Sequence, residues 1–298
     1  MRSIIRLQGG LGNQLFQFSF GYALSKINGT PLYFDISHYA ENDDHGGYRL
    51  NNLQIPEEYL QYYTPKINNI YKFLVRGSRL YPEIFLFLGF CNEFHAYGYD
   101  FEYIAQKWKS KKYIGYWQSE HFFHKHILDL KEFFIPKNVS EQANLLAAKI
   151  LESQSSLSIH IRRGDYIKNK TATLTHGVCS LEYYKKALNK IRDLAMIRDV
   201  FIFSDDIFWC KENIETLLSK KYNIYYSEDL SQEEDLWLMS LANHHIIANS
   251  SFSWWGAYLG TSASQIVIYP TPWYDITPKN TYIPIVNHWI NVDKHSSC

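Results

Sequence analysis

Three short runs end in side chains suited to binding an anion. "LSIHI" leads into Arg162, Arg163, Gly164 and Asp165; "VFIF" leads into Ser204, Asp205 and Asp206; "IIA" leads into Asn249, Ser250, Ser251, Phe252 and Ser253, just before "WWGAYL". Two guanidiniums present planar forks of donors to phosphate oxygens, and hydroxyls and free amides at the start of a helix add more. An isolated arginine pair is most simply a solvated surface feature. Its position after an apolar, β-rich run favours binding, because open α/β sheets hold ligands beyond the carboxyl ends of their strands.

Other chemistries lack their signatures. The opening "QGGLGNQLFQ" is glycine-rich, but a dinucleotide fingerprint counted from Gly10 and Gly12 requires a third glycine where Leu15 stands. No Lys-Ser or Lys-Thr pair follows to make a phosphate-binding P-loop. No D-x-D is present to hold a metal-bound diphosphate, and "DD" occurs only at 43–44 and 205–206. The histidines of "HFFHKH" and "HH" have neither zincin spacing nor a thiolate partner, so they read as surface or packing residues. A nucleophile elbow G-x-S-x-G is missing. A metal-free site would stabilise a leaving diphosphate with arginine and backbone amides.

The elements that must carry these residues alternate between strand and helix. Ile4 to Gln8 reads as a strand, the glycines as a turn, and Phe16, Phe20, Ala23, Leu24 and Ile27 as one face of a helix closed by Gly29; Leu32 to Asp35 is the next strand. From about 40 to 110 the pattern is irregular and aromatic, and "KKYIGYWQSEHFF" reads as a strand followed by a loop. Regularity returns with strands at Leu157 to Ile161, Val200 to Phe203, Ile224 to Tyr226, His245 to Ala248 and Ile266 to Tyr269. Between the first two lies a helix with Leu181, Tyr184, Leu188, Ile191 and Leu194 on one stripe and Ser180 as its N-cap. Such alternation implies parallel, doubly wound sheets. Two α/β domains, 1–145 and 146–298, facing a cleft, are expected.

Composition narrows the partners. Lys plus Arg equals Asp plus Glu at 30 each, which leaves no net field to attract a nucleic acid. Cysteines 91, 179, 210 and 298 are scattered, as expected of reduced thiols in a cytoplasmic protein. No signal peptide or membrane-spanning run is visible, the longest apolar run being "IFLFLGF". The 24 tyrosines and 8 tryptophans suit carbohydrate, or simply core packing. Between Ile67 and Phe90, Lys72, Arg76 and Arg79 are mixed with Phe and Leu. That segment fits either peripheral contact with an anionic membrane carrying a lipid-linked acceptor or helices packed within the first domain.

Five motifs in order, "GGLGNQ", "GYWQSEHFF", "HIRRGDY", "FSDDIFWCKENI" and "EEDLWLMSLANHHIIANSSFSWWGAYL", resemble the α-1,2-fucosyltransferases of glycosyltransferase family 11 over nearly the whole chain, and most closely the bacterial O-antigen type. The resemblance implies a GT-B arrangement of two Rossmann-like domains, an acceptor-side domain followed by one that binds GDP-fucose. It implies inverting transfer of fucose from GDP-β-L-fucose to the 2-hydroxyl of a terminal β-galactose, with no metal or other cofactor. Arg162 matches the arginine on the donor's β-phosphate, with His160, Arg163 and Asp165 as its companions. Asp235 aligns with a carboxylate used on guanine, a role open also to a helix N-terminal acid complementing the dipole. Ser251, Phe252 and Ser253 would hold phosphate or ribose, with Ser204 and Asp205 nearby. Gly10 and Gly12 would bring backbone close to the donor, and Asn13 would contact the β-phosphate or bridging oxygen, or else cap its helix. Gln118, Glu120 and Asp35 would face the acceptor, and Asp165, Asp35 and Glu120 are candidates for the general base, unless a loose, oxocarbenium-like reaction needs no strong base. The alternative is a non-enzymatic nucleotide- or carbohydrate-binding protein on the same fold, or a fucosyltransferase of different acceptor linkage.

Overall fold

A computed structural model of the chain describes residues 3–40, 46–65, 69–107, 111–164, 170–218 and 222–295. Two compact units are present, one of Met1–Lys137 with Pro278–Pro284 and the other of Asn138–Thr277 with Ile285–Cys298.

The first unit contains β1 (Ser3–Arg6), α1 (Leu11–Asn28), β2 (Leu32–Asp35), β3 (Gln61–Tyr62), α2 (Asn69–Leu80), α3 (Pro82–Phe87), β4 (Phe90–Asn92), α4 (Glu93–Ala96), α5 (Phe101–Lys107), β5 (Lys112–Ile114) and α6 (Ile127–Phe133). Its strands pair in parallel in the order β3-β2-β1-β5-β4. The chain therefore reverses its direction of winding between β1 and β5, which opens a crevice at their carboxyl ends.

The single apolar face expected of α1 is not what forms. From Leu11 to Ser25 every residue except Asn13 is buried, and Ile27 is left 40% exposed. Phe18 packs on Phe34 and Phe134, while Phe20, pointing the opposite way, lies flat on Trp117 with ring centroids 4.0 Å apart. A helix clothed in aromatic rings on both sides is a core element, and much of the aromatic content is used there. Gly29 ends it in the left-handed conformation at φ 59°, its N–H donating to the Ser25 carbonyl. The irregular stretch after residue 40 proves to hold the short helices α3 to α5, too brief to show a helical period.

The second unit contains α7 (Glu141–Glu152), β6 (Ser156–Ile161), α8 (Lys170–His176), α9 (Leu181–Leu194), β7 (Asp199–Ser204), α10 (Ile207–Leu218), β8 (Asn223–Tyr226), α11 (Gln232–Leu241), β9 (His244–Ile246), α12 (Ser251–Tyr258), β10 (Val267–Thr271) and β11 (Ile290–Asp293). All pairings are parallel, in the order β11-β10-β9-β6-β7-β8. Ile159, Val200 and Ile246 from the sheet pack with Tyr184, Leu188 and Ile191 of α9. Ser180 caps α9 by accepting the Tyr183 N–H at 3.2 Å. The buried stripe includes Tyr183 and Ala187, and leaves Leu181 and Leu194 at 36% and 49% exposure.

The division between units falls at Lys137/Asn138, eight residues before the boundary expected at 145/146. Glu234, at the start of α11, accepts the Ser140 N–H at 2.7 Å, which ties the beginning of α7 to the second unit. Pro278–Pro284 returns to the first unit, where the Tyr282 hydroxyl donates to the Ala96 carbonyl at 3.0 Å. No helix among the described residues is long and apolar enough to cross a membrane. Cys91, Cys179 and Cys210 are buried free thiols, and Cys298 lies outside the described residues.

Candidate active site

In the second sheet β6 and β9 are neighbours although the chain visits β7 and β8 between them, so the switch point lies between their carboxyl ends. His160 and Arg162 leave β6 there, and the turn into α12 leaves β9. The His160 ring is buried, with its centroid 5.6 Å from that of Phe252. Burial, reinforced by the Arg162 charge, lowers its pKa to about 3, so the imidazole is neutral at physiological pH. Its buried Nδ1 has no hydrogen-bond partner among the described residues.

Arg162 is held from the next strand. Its Nη1 lies 3.1 Å from Asp205 Oδ2, and Asp205 Oδ1 accepts the Arg163 N–H at 2.9 Å. A Cβ on Gly164 would stand 3.0 Å from the same carboxylate, so glycine lets the turn close over it. Asp205 thus aims Arg162 and, being an anion with both oxygens engaged, would repel rather than bind a phosphate. Arg163 lies 3.9 Å over the Trp209 ring with its Nε 3.5 Å from Asp206 Oδ2. Ser204 Oγ accepts the Asp206 N–H at 3.0 Å, and Asp206 Oδ1 caps α10 by accepting the Trp209 N–H at 3.1 Å. Arg163 and Ser204 therefore build the turn that presents Arg162.

The hydroxyls after β9 divide in the same way. Ser253 is fully buried and donates back to the Ala248 and Ser250 carbonyls, each at 3.3 Å, so it shapes the turn and does not face a donor as expected. Asn249, expected among the anion-binding side chains after this strand, instead donates to the His176 and Trp273 carbonyls at 2.7 and 3.2 Å. Ser250 is the N-cap of α12, accepting the Phe252 N–H at 3.3 Å. Ser251 and Phe252 remain partly exposed at that helix start.

Two strands along from β6, beyond β8, Asp235 accepts a hydrogen bond from the Ser227 hydroxyl. Burial of its carboxyl group, with Glu234 adding repulsion, raises its pKa to about 7, although part of the side chain reaches solvent. Glu234 itself completes a capping box with Ser231. Burial would raise its pKa, but the backbone amides of Ser140 and Ser231 overcome that and lower it to about 2.

In the first unit the β1 and β5 ends meet through amide side chains. Asn13 does not cap α1; Gly10 holds the N-cap position, and Asn13 Oδ1 accepts from Gln118 Nε2 at 2.7 Å. Gly9 carries the left-handed backbone, at φ 78°, and a Cβ there would stand 2.6 Å from Asn13 Nδ2. Gly12, expected near the donor, is buried within α1, and Gly10 is only partly exposed. Gln17 bridges the two loops by accepting the Gln8 N–H at 3.0 Å and donating to the Gly115 carbonyl at 2.9 Å. Glu93, a residue the sequence did not single out, accepts the Trp117 N–H at 3.3 Å and the Tyr116 N–H more closely. Burial raises its pKa to about 6 against the pull of those amides. Glu120, partly exposed, opens the short helical turn that follows.

Asp35 corrects an expectation. It is wholly buried, its carboxylate 2.6 Å from Lys112 Nζ and hydrogen-bonded to Tyr71 and the Ser37 N–H. Burial alone would raise its pKa, but the Lys112 ammonium with these donors holds it below the usual carboxylate range. A carboxylate so engaged neither reaches an acceptor nor takes its proton. Asp165 lies outside the described residues. Among the described residues no three His, Cys, Asp or Glu side chains are grouped to hold a metal ion.

Known proteins share this organisation. The profile described as Glycosyl transferase family 11 matches residues 55–290. The chain is 37% identical over 293 residues to an alpha-1,2-colitosyltransferase of Escherichia coli, covering 98% of this chain and 99% of that one. It is 30% identical over 316 residues to the Escherichia coli O-antigen biosynthesis glycosyltransferase WbnK, covering 96% and 99%. Of solved structures, POFUT1 in complex with GDP-fucose superposes with a TM-score of 0.52 at 13% identity, covering 90% of this chain and 97% of that one. NodZ alpha-1,6-fucosyltransferase soaked with GDP-fucose gives 0.51 at 13% identity, covering 87% and 92%. At such identities the structural likeness is one of fold, the GT-B type with two Rossmann-like domains. Relatives aligned from end to end and a profile spanning most of the sequence agree that this chain belongs to glycosyltransferase family 11.

Proposed function

We propose that the enzyme transfers L-fucose from GDP-β-L-fucose to the 2-hydroxyl of a terminal β-galactoside with inversion and without a metal. The observation that carries this reading is Arg162, clamped by Asp205 at the switch point of the second sheet, beside neutral His160 and the start of α12. In the reaction the galactoside oxygen forms a bond to the fucose anomeric carbon as the bond to the β-phosphate oxygen breaks. GDP leaves with the electron pair, and the hydroxyl proton passes to a base. Negative charge grows on the β-phosphate as that bond breaks, so a pre-oriented guanidinium stabilises the transition state more than the bound donor.

Asp235 supports guanine as the base. An ionised carboxylate accepts from both N1–H and N2–H of guanine, a pair of donors adenine lacks. Strands lie about 4.8 Å apart, so the two-strand offset from Arg162 to Asp235 is comparable with the reach of a nucleoside from phosphate to base. Asn13 and Gln118 supply amide groups on the acceptor side, and with Asp35 sealed in its ion pair the general base falls to Glu120 or Asp165. The decisive experiment follows GDP release. We expect release from GDP-fucose only when a β-galactoside is added, with the α-1,2-linked product identified by NMR, and undiminished turnover in EDTA. Release without acceptor, no release at all, or loss of turnover in EDTA restored by a divalent cation each contradicts a part of the proposal.

A second reading differs in the sugar moved. The 37% identity to an alpha-1,2-colitosyltransferase favours a colitosyl donor, and competition between the two donors at equal concentration distinguishes them.

A further inference from the structure

We infer that the α2–α3 hairpin of the first unit is a docking surface for an anionic lipid bilayer. The packed part of this hairpin includes the Phe73 and Phe85 rings, whose centroids lie 6.0 Å apart. Ser78 is buried, and Gly77 receives the Phe85 ring so closely that a Cβ there would overlap it. Even so, Ile70, Phe73, Leu80, Ile84, Phe87 and Leu88 are 53% to 90% exposed, with Phe87 the most. Large apolar side chains gathered in so short a segment form a patch of the kind that a soluble surface ordinarily covers.

Charge decides what covers it. At 100° per residue, Ile70, Phe73 and Leu80 occupy one sector of α2, and Lys72, Arg76 and Arg79 occupy the adjoining one. All three cations are exposed, and Arg79 also lies 5.2 Å over the Phe94 ring. The one acid of the hairpin is Glu83. An apolar sector bordered by cations is the arrangement by which a helix lies in a lipid interface, its rings among the acyl chains and its ammonium and guanidinium groups at anionic headgroups. A second copy of the chain fits less well, because face-to-face pairing would set cations against cations.

The full chain is to be sedimented with vesicles of phosphatidylcholine alone and of phosphatidylcholine with phosphatidylglycerol. Binding is expected only with the anionic lipid and is expected to weaken with salt. Two double variants, Ile70→Ser with Phe87→Ser and Lys72→Glu with Arg76→Glu, should each weaken it at least tenfold. Their melting temperatures and their transfer to a soluble galactoside should stay at wild-type values, which separates loss of docking from loss of folding. The inference is overturned by absence of vesicle binding, by equal binding to neutral vesicles, or by binding that neither variant reduces. A lipid-free dimer that the Ile70→Ser, Phe87→Ser variant dissociates also overturns it, since the apolar strip would then be a protein interface.

Discussion

Arg162→Lys is the substitution that most directly probes the chemistry. Lysine keeps the charge but loses the fork that meets Asp205 on one side and, in the proposed reaction, would meet a phosphate on the other. With saturating donor, kcat should fall about 100-fold, as for removal of one pre-oriented transition-state donor; near-normal turnover would remove Arg162 from its role. Asp235 makes a prediction in pH. Its pKa is about 7 in the folded chain against 3.8 for the ordinary side chain, so below pH 7 it is protonated and could not accept both protons of the guanine proposed to bind there. The KM for GDP-fucose should therefore rise as pH falls through about 7, before bound guanine itself favours ionisation. Stability has the opposite dependence. The folded chain binds a proton that the unfolded chain has lost between pH 3.8 and 7, so this residue lowers stability progressively as pH rises across that window. Asp235→Asn should melt higher than the parent at pH 8 and no higher at pH 4, while losing donor affinity at pH 8.

At the scale of elements, two buried carboxylates hold loops and strands in place. Removing one partner of the Asp35–Lys112 pair leaves an uncompensated buried charge, which costs about 3–5 kcal/mol. Asp35→Asn should therefore unfold at lower denaturant than the joint Asp35→Leu, Lys112→Met variant, in which no charge remains. Because the folded pKa of Asp35 is lowered, its contribution is complete above the ordinary carboxylate range and is lost as pH falls through the folded value. Glu93 fixes the loop after β5 through the Tyr116 and Trp117 amides, and that loop delivers Gln118 to Asn13. Glu93→Ala should raise the KM for the galactoside more than that for the donor, and Glu93→Gln, which retains an accepting oxygen, should restore much of the loss. Equal effects on both substrates would mark Glu93 as a general support of the fold. The extents of α1 and α9 were legible in advance from eighteen and fourteen residues of pattern, and the five strands expected in the second half, down to three residues in β9, from β-rich runs set between helical ones. Between 40 and 110 the two- and three-residue strands and the four- to seven-residue helices were not, because they hold less than two turns of pattern, whereas α2, with twelve residues, is long enough to show one and was expected only as one of two readings of residues 67–90.

For the molecule as a whole, nucleotide binding should appear as stability. GDP at 100 times its Kd adds about 2.7 kcal/mol to the form that binds it, so the melting temperature should rise by several degrees with GDP and not with UDP. What the sequence determined by itself was the inventory: alternating strands and helices, an arginine at a strand end, and a glycine-rich turn with no dinucleotide fingerprint. These are local facts, set by side-chain period and backbone freedom over a few residues. Only the tertiary structure decided which of those residues are available. Strand order brings residue 118 to residue 13, sets Phe252 beside His160, and puts Lys112 within reach of Asp35. That last contact turns a candidate base into a buried ion pair, while Glu120 stays partly open to solvent. Burial and charge pairing arise between segments far apart in the chain, so no spacing along the sequence could distinguish the carboxylate sealed in the sheet from the one left free.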